Sequence, residues 1–400
     1  MHQHATERSM KISSESRIPA LDGLRGIAVI AVMIHHFAIQ TTYSGPLGRA
    51  FAYFTGLGFI GVDLFFVLSG FLITGILYDA KGSDGFFQNF YMRRVLRIFP
   101  LYYAVLVATL LVLPLLKPFS EEMEVVTSNQ GWLWLFSANI ITALHDKWIF
   151  FTGWVSLGHF WSLAVEEHFY LVWPLLVFLF GRRQLMMICF GAVGIAFLSR
   201  AWLLSTTGPG LPVTLYTWCR MDSLAIGALL ALAVRGREGT AALNKVVWVV
   251  GVASALAMAV IVSGILNPWL YGTFGISAQA VFFGVVLFTA VVAPDSTRWS
   301  RFWSSRFLQT VGKYSYGLYV LHAAMLPLFN KAFSVRKLES VLHSHALAVA
   351  VFILFCFAVS MGAAWLSWHC YEKHFLKLKR FFEYRRKDEP IVVGAATLNA

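Results

Sequence analysis

The feature that most constrains this chain is a series of ten apolar runs, each near the ~20 residues that a helix needs to cross a bilayer. Of the 400 residues, 58% are hydrophobic and only 13% are charged, which is more apolar than one soluble core can hide. The sequence therefore predicts an all-α fold, a polytopic membrane helix bundle with one membrane domain. The predicted spans are 19–39, 56–79, 98–116, 157–180, 184–204, 217–234, 246–265, 273–293, 314–331 and 346–370.

Lys and Arg are distributed unevenly between the connecting segments. With a cytoplasmic N-terminus, 23 of the 32 basic residues fall in inside segments and six in outside segments. Cytoplasmic loops carry an excess of Lys and Arg, so this distribution predicts that both termini are cytoplasmic. We expect a cytoplasmic tail over 1–18, a membrane domain over 19–371 and a cytoplasmic tail over 372–400. The second tail mixes basic and apolar residues, as an interfacial helix on an anionic leaflet does.

The composition argues against several kinds of site. In a chain this apolar, the net charge of +12 indicates membrane orientation rather than nucleic-acid binding. The four cysteines lie in apolar runs without CxxC spacing, which argues against a disulfide, a zinc site or a redox motif. We therefore expect the lipid bilayer as a partner, no nucleic acid and no metal. The sequence does not indicate an oligomeric state.

The first predicted span, "LDGLRGIAVIAVMIHHF", contains four ionisable groups. A charge at mid-membrane costs ~2.5–3.5 kcal/mol, so each needs a partner, a water-filled cavity or a function. Arg25 and His36 share one helix face and lie ~16 Å apart along the axis, so we expect them to line one cavity without touching. Asp22 can pair with Arg25 one turn away, while His35 points aside. The alternative is an interfacial Asp22–Arg25 pair with both histidines packed in the core.

A basic cluster, "FYMRRVLRIFP", precedes the third predicted span. Arg93, Arg94 and Arg97 lie within about one helical turn, so their guanidinium groups form a compact patch suited to phosphate oxygens. The alternative is an anchor at the inner membrane face, which needs only the charge.

The fourth span contains adjacent carboxylates in "HFWSLAVEEHFYLVWP". His159 and Glu166 are seven residues apart and share a helix face, from which Glu167 points away. One of the two carboxylates is expected to meet a basic group from another span, such as Arg25 or Arg220, because an unpaired carboxylate would take up a proton.

Other polar residues in the predicted spans are candidates for supporting the site. Arg220 and Asp222 occur in "CRMDSLAIG", Tyr319 and His322 in "YSYGLYVLH", and Asp63 in "GVDLFFVLSGFLI". The alternative is a structural role in helix packing.

Together these segments resemble the acyltransferase family 3 membrane proteins, which include bacterial polysaccharide O-acetyltransferases and macrolide acyltransferases. The similarity covers nearly the whole chain and rests on six segments in the family's order. They are "LDGLRGIAVIAVMIHHF", "GVDLFFVLSGFLI", "RRVLRIFP", "HFWSLAVEEHFYLVWP", "RMDSLAIG" and "YSYGLYVLH".

The resemblance implies a cytoplasmic acyl-CoA donor, with acetyl-CoA favoured, and a hydroxyl acceptor, usually on a sugar. It aligns the family's important arginine and histidine with Arg25 and His36, and its basic pair with residues 93–97. His168 stands where the family usually has Gln, so the role of that position is open. Some members add a C-terminal hydrolase-like extracellular domain; we expect it to be absent here, so any partner of that kind would be a separate protein.

The resulting hypothesis is an O-acyltransferase of the bacterial inner membrane that acts on a cell-envelope or exported glycan. Arg93, Arg94 and Arg97 are expected to hold the phosphates of coenzyme A. His36 is expected either to act as a general base or to carry the acyl group briefly. Arg25 is expected to steady the thioester oxygen or orient the donor.

Several alternatives remain open from the sequence. Glu166 or Glu167 either orients a histidine or holds Arg25. The acceptor is polymeric glycan, a lipid-linked sugar, or a macrolide or other small hydroxylated product. Paired charges along a membrane cavity also suit a proton-coupled permease, and a non-catalytic membrane scaffold is a third class.

Overall fold

The computed structural model describes residues 18–116, 120–236, 239–264 and 267–384. Within these ranges the chain is helical, and its β structure is limited to one bridge between Phe151 and Ser156. Nine helical segments of the described chain are long and apolar enough to cross a membrane, and a helix pair bent by 44° makes a tenth if it is one span. The all-α fold class and the number of spans, about ten, are confirmed. Residues 1–17 and 385–400, which contain most of the two predicted tails, lie outside the described residues.

We number the spanning helices α1 to α10 in chain order. Their bounds are α1 Pro19–Ala38, α2 Gly45–Asp79, α3 Phe86–Leu116, α4 Phe160–Leu179, α5 Arg182–Thr206, α6 Leu211–Val234, α7 Leu243–Val262, α8 Pro268–Val292, α9 Ser315–Ala332 and α10 His345–Phe381. The bent pair consists of α9 and the short helix Val335–Leu342.

Three helices extend more than ten residues beyond the apolar runs that predict them. Helix α2 begins at Gly45, α3 begins at Phe86, and α10 continues to Phe381. Helices α3 and α10 each contain a π-helical turn, at Ala108–Val112 and Trp368–Glu372. The arginines of "FYMRRVLRIFP" therefore lie within α3 and not in a connecting loop.

Helix α1 lies at the centre of the part of the bundle that carries the ionisable residues. It packs against α2, α9, α10 and the short helix Arg306–Lys313. Its buried residues include Leu21, Leu24, Ala28 and Val32, which follow the spacing of one helix face. This packing turns the face that carries Arg25 toward α2 and α3, and brings the end of α1 beside α9.

Helices α2 and α6 approach each other closely through two glycines. A Cβ atom at Gly70 would overlap the carbonyl of Leu224, and one at Gly227 would overlap the carbonyl of Val67. Small residues allow such approach in membranes, where van der Waals packing holds helices together. The crossing brings the buried polar residues of α2 and α6 together.

Gly70→Ala and Gly227→Ala are each expected to lower the free energy of unfolding by at least about 1–3 kcal/mol, because the added methyl group meets rigid backbone. Gly191→Ala on α5 is the matched control, since a Cβ there meets nothing within 4 Å. The measurement is the thermal unfolding midpoint in detergent. Equal midpoints for all three variants would contradict the close crossing.

Candidate active site

A cavity of about 150 Å³ lies among α1, α2, α3, α4 and α9. Its charged lining consists of Arg25, Arg94, Arg97, Glu166 and Glu167. Ser69, Ser162, Tyr170 and Tyr319 also line it. Three clusters that are far apart in the sequence therefore share one cavity.

Both adjacent carboxylates of α4 line this cavity. The Ser69 hydroxyl donates to Glu166 Oε1 at 2.5 Å, and the hydroxyls of Ser69 and Tyr170 are 3.0 Å apart. Glu167 leaves the helix face of Glu166 by about 100°, as expected for consecutive residues, and the cavity is wide enough to include both carboxylates. His168 turns elsewhere, with Nδ1 2.7 Å from the Thr217 hydroxyl.

The cations near Glu166 come from α1 and α3. Arg25 and Arg94 both lie near this carboxylate. Arg25 also donates to Asp22 at 3.3 Å, as the sequence predicts for residues one turn apart. Of the two cations expected from other spans, Arg25 thus lies near the carboxylates, whereas Arg220 pairs with Asp63.

The arginine cluster of α3 is divided in its contacts. Arg94 and Arg97 line the cavity, and Arg94 Nε is buried without a hydrogen-bond partner among the described residues. Arg93 instead donates to the carbonyl oxygen of Phe382 at 3.1 Å. Burial raises the pKa of the Tyr384 phenol, and the nearby Arg94 and Arg93 oppose that shift.

Three histidines from different helices meet beyond the cavity. His322 Nδ1 lies 2.9 Å from the carbonyl oxygens of Leu318 and Tyr319, so this nitrogen carries the proton. In the neutral ring the other nitrogen, Nε2, is then an acceptor, and it accepts a hydrogen bond from His36 Nδ1 at 2.9 Å. The lone pair of neutral His36 is therefore on Nε2.

His159 is the third member of this histidine cluster. Its Nε2–H donates to the Val320 carbonyl at 3.1 Å, while the buried Nδ1 has no partner within the described chain. Its ring centroid lies 6.5 Å from that of His36 and 5.4 Å from that of His322. His35 points aside, as predicted, with its ring edge against Phe59.

Tyr319 lies between the cavity and the histidine cluster. Its hydroxyl is 2.5 Å from the Ser162 hydroxyl and donates to the His159 carbonyl at 3.2 Å. Its ring centroid is 5.6 Å from His159 and 5.8 Å from His322. The expectation that Arg25 and His36 line one cavity is therefore wrong for His36. Arg25 lines the cavity, whereas His36 lies past Tyr319.

A buried ion network lies outside the cavity. Arg220 pairs with Asp63 at 2.6 Å, and Arg200 pairs with Asp222 at 2.9 Å. Ser277 joins the second pair by donating to Asp222 Oδ2 at 2.6 Å. The two arginines and two aspartates balance in charge, and they link α2, α5, α6 and α8.

Sequence reasoning missed two members of this network. The sequence analysis assigned no role to Arg200 or Ser277. The signal for Arg200 was the free-energy cost of a charge in an apolar run, because such a charge requires a partner from another span. Among the described residues, no three His, Cys, Asp or Glu side chains could hold a metal ion.

The comparison with known proteins agrees with the resemblance in the sequence. The acyltransferase domain family matches residues 18–369. The chain belongs to this family. Among the family's curated members, peptidoglycan O-acetyltransferase OatA of Listeria monocytogenes is 31% identical over 343 residues, which cover 81% of this chain and 52% of that protein.

A second relative gives the same picture. O-acetyltransferase OatA of Staphylococcus aureus is 29% identical over 342 residues, which cover 81% of this chain and 53% of that protein. The chain therefore spans about half the length of these curated relatives. No solved structure matches it significantly.

Proposed function

We propose that this protein is a membrane-embedded O-acyltransferase that moves an acetyl group from acetyl-CoA to a hydroxyl of cell-wall glycan. One observation carries the proposal: in a member of the acyltransferase domain family, an arginine-lined cavity ends at Tyr319, next to a hydrogen-bonded pair of histidines. The relatives' names, O-acetyltransferase and peptidoglycan O-acetyltransferase, favour a glycan acceptor over a macrolide.

The donor site is formed by the arginines of the cavity. Arg94 and Arg97 offer planar guanidinium groups to the phosphates of coenzyme A. A cavity of about 150 Å³ is small beside the ~300–1,000 Å³ of sites that enclose a drug-sized ligand. The nucleotide therefore stays at the mouth, and the pantetheine arm carries the thioester inward to Tyr319.

Arg25 belongs to this donor site. On α1 it lies ~16 Å from His36, too far to hold the oxygen of a thioester that reacts at His36. Glu166 lies near Arg25 and Arg94, so its role is to hold these arginines rather than to orient a histidine. Glu167 lies near Arg94 in the same way.

His36 is the general base in this proposal. Its Nε2 takes the proton from the acceptor hydroxyl as the hydroxyl oxygen attacks the thioester carbonyl carbon. The carbon–sulfur bond then breaks, and the sulfur takes the proton from the imidazolium, so the products are the O-acetyl ester and free coenzyme A. His322 fixes the tautomer of His36 by accepting its Nδ1–H.

The orientation follows from the distribution of basic residues. With the N-terminus in the cytoplasm, α1 begins on the side where acetyl-CoA is made and ends, with His36, toward the side where wall glycan is found. The proposed location is accordingly the bacterial cytoplasmic membrane.

The test is release of free thiol by the purified protein supplied with acetyl-CoA and soluble peptidoglycan fragments. Thiol is expected only when the glycan is present, together with an equal amount of O-acetyl ester. Arg94→Ala is expected to raise the KM for acetyl-CoA about tenfold or more, because a charged hydrogen bond to phosphate is lost. Arg183→Ala, which replaces an exposed arginine of α5, is the matched control and should leave KM unchanged.

Two outcomes would contradict the proposal. Thiol release at the same rate without any acceptor would indicate a thioesterase. Intact acetyl-CoA, together with solute uptake driven by a proton gradient in proteoliposomes, would identify a permease.

A further inference from the structure

The end of α10 lies against the arginines of the donor site. Arg93 donates to the carbonyl of Phe382 at 3.1 Å, and the buried Asn89 donates to the carbonyl of Glu383 at 3.0 Å. Tyr384 packs against the hydrophobic core. We call residues 378–384 the C-terminal strap. Its backbone is thus fixed to α3, whereas the sequence predicts a helix lying on the leaflet.

Lys379 projects from the strap into a group of like charges. It stands three residues before Phe382, whose carbonyl accepts the hydrogen bond from Arg93. The nearby cations are Arg97, Arg94, Arg93 and Arg25. Two carboxylates lie among the same arginines: Glu166 is near Arg94 and Arg25, and Glu372 is near Arg97. Five cationic side chains from α1, α3 and α10 therefore converge in this region.

The flanking basic residues of the same segment behave differently. Lys377 and Arg380 are exposed, whereas Lys379 is half-buried. A membrane anchor needs all three charges turned toward lipid phosphates. Two hydrogen bonds to the strap backbone instead hold Lys379 among charges that repel it. Such an arrangement becomes favourable when a polyanion lies between the cations.

We propose that Lys379 is a further phosphate-binding residue of the donor site, held over the arginine cluster by the C-terminal strap. The assignment rests on the proposed function, in which the donor is an acyl-CoA. The chemistry recognised is that of phosphate-ester oxyanions, which coenzyme A carries in its diphosphate and its 3′-phosphate. An anionic lipid headgroup offers the same oxygens, so the experiment must separate the two sources.

The experiment is calorimetric titration of coenzyme A into the full-length protein in phosphatidylcholine nanodiscs. Lys379→Ala is expected to weaken binding about 10-fold to 100-fold, because one charged hydrogen bond is lost. Lys379→Arg should bind as the wild type does, and Lys377→Ala is the matched control, since that lysine is exposed on the same segment. Asn89→Leu should weaken binding less than Lys379→Ala, because it loosens the strap and keeps the charge.

The outcomes separate the two levels of the proposal. Wild-type protein that binds no coenzyme A would overturn the donor assignment and the role of Lys379 with it. Wild-type binding that Lys379→Ala and Lys377→Ala leave equally unchanged would overturn only the role of Lys379. A Lys379→Ala effect confined to nanodiscs containing phosphatidylglycerol would assign this lysine to a lipid headgroup. That result would also overturn the role of Lys379 in the donor site. Circular dichroism and the thermal midpoint confirm folding of each variant.

Discussion

His36→Ala is expected to lower the rate of acetyl transfer by about 10²–10⁴-fold, the range for removal of a positioned general base. The hydrogen bond from His36 Nδ1 to His322 Nε2 leaves the lone pair of His36 on Nε2. The measurement is thiol release at saturating acetyl-CoA and glycan. Binding of coenzyme A should be unchanged, because the arginines proposed to bind its phosphates lie away from the histidine cluster.

Two variants serve as controls for this result. His345→Ala removes a histidine that contacts Glu339 far from the cluster, and full activity is expected. His322→Ala should lower the rate less than His36→Ala, and the double variant should be no slower than His36→Ala alone, since His322 acts through His36. Independent, multiplying effects of the two substitutions would contradict the hydrogen-bonded pair.

Arg200→Met is expected to lower the free energy of unfolding by about 3–5 kcal/mol, because it leaves the Asp222 carboxylate buried without its cation. The side chains of both residues are 0% exposed. Arg200 also donates to the carbonyls of Cys219 and Thr273 and to the Ser277 hydroxyl, all of which lose that donor. The measurement is the thermal midpoint of the detergent-solubilised protein.

A second ion pair of the same residue types provides the matched control. Arg235 and Asp79 are 2.7 Å apart, and their side chains are 14% and 25% exposed at the ends of α6 and α2. Arg235→Met should therefore cost less than Arg200→Met, because water reaches the Asp79 carboxylate. The double variant Arg200→Met with Asp222→Asn should recover part of the loss. Equal shifts for Arg200→Met and Arg235→Met would show that burial of the first pair has no energetic consequence.

Most of the fold could be predicted because the bilayer imposes a simple rule on sequence. Each apolar run of spanning length became a helix, including α9, which has a proline inside it. The ends of the long helices could not be predicted in the same way. Residues 86–97 are too polar for a hydropathy criterion, yet a helix satisfies their backbone hydrogen bonds at the membrane surface as well as inside the membrane.

The candidate site could be predicted within each helix and not between helices. Periodicity correctly indicated that Asp22 and Arg25 pair, since both lie on α1. It could not indicate that Arg220 meets Asp63 or that His36 meets His322, because these pairs depend on how α1, α2, α6 and α9 pack. Helix packing in a membrane is governed by small residues and polar contacts spread through the chain. A single sequence does not show which of these residues contact each other.

The closed end of the cavity at Tyr319 has a consequence for the cell's energy supply. A protein that passes acetyl groups from one face of a membrane toward the other must not also conduct protons, or it would discharge the gradient that drives ATP synthesis. The Ser162–Tyr319 hydrogen bond, with Phe65 packed against the tyrosine ring, ends the cavity next to the histidine cluster. In the proposed function, the protein thereby separates delivery of the acetyl group from leakage of ions, so that many copies are compatible with an energised bacterial membrane.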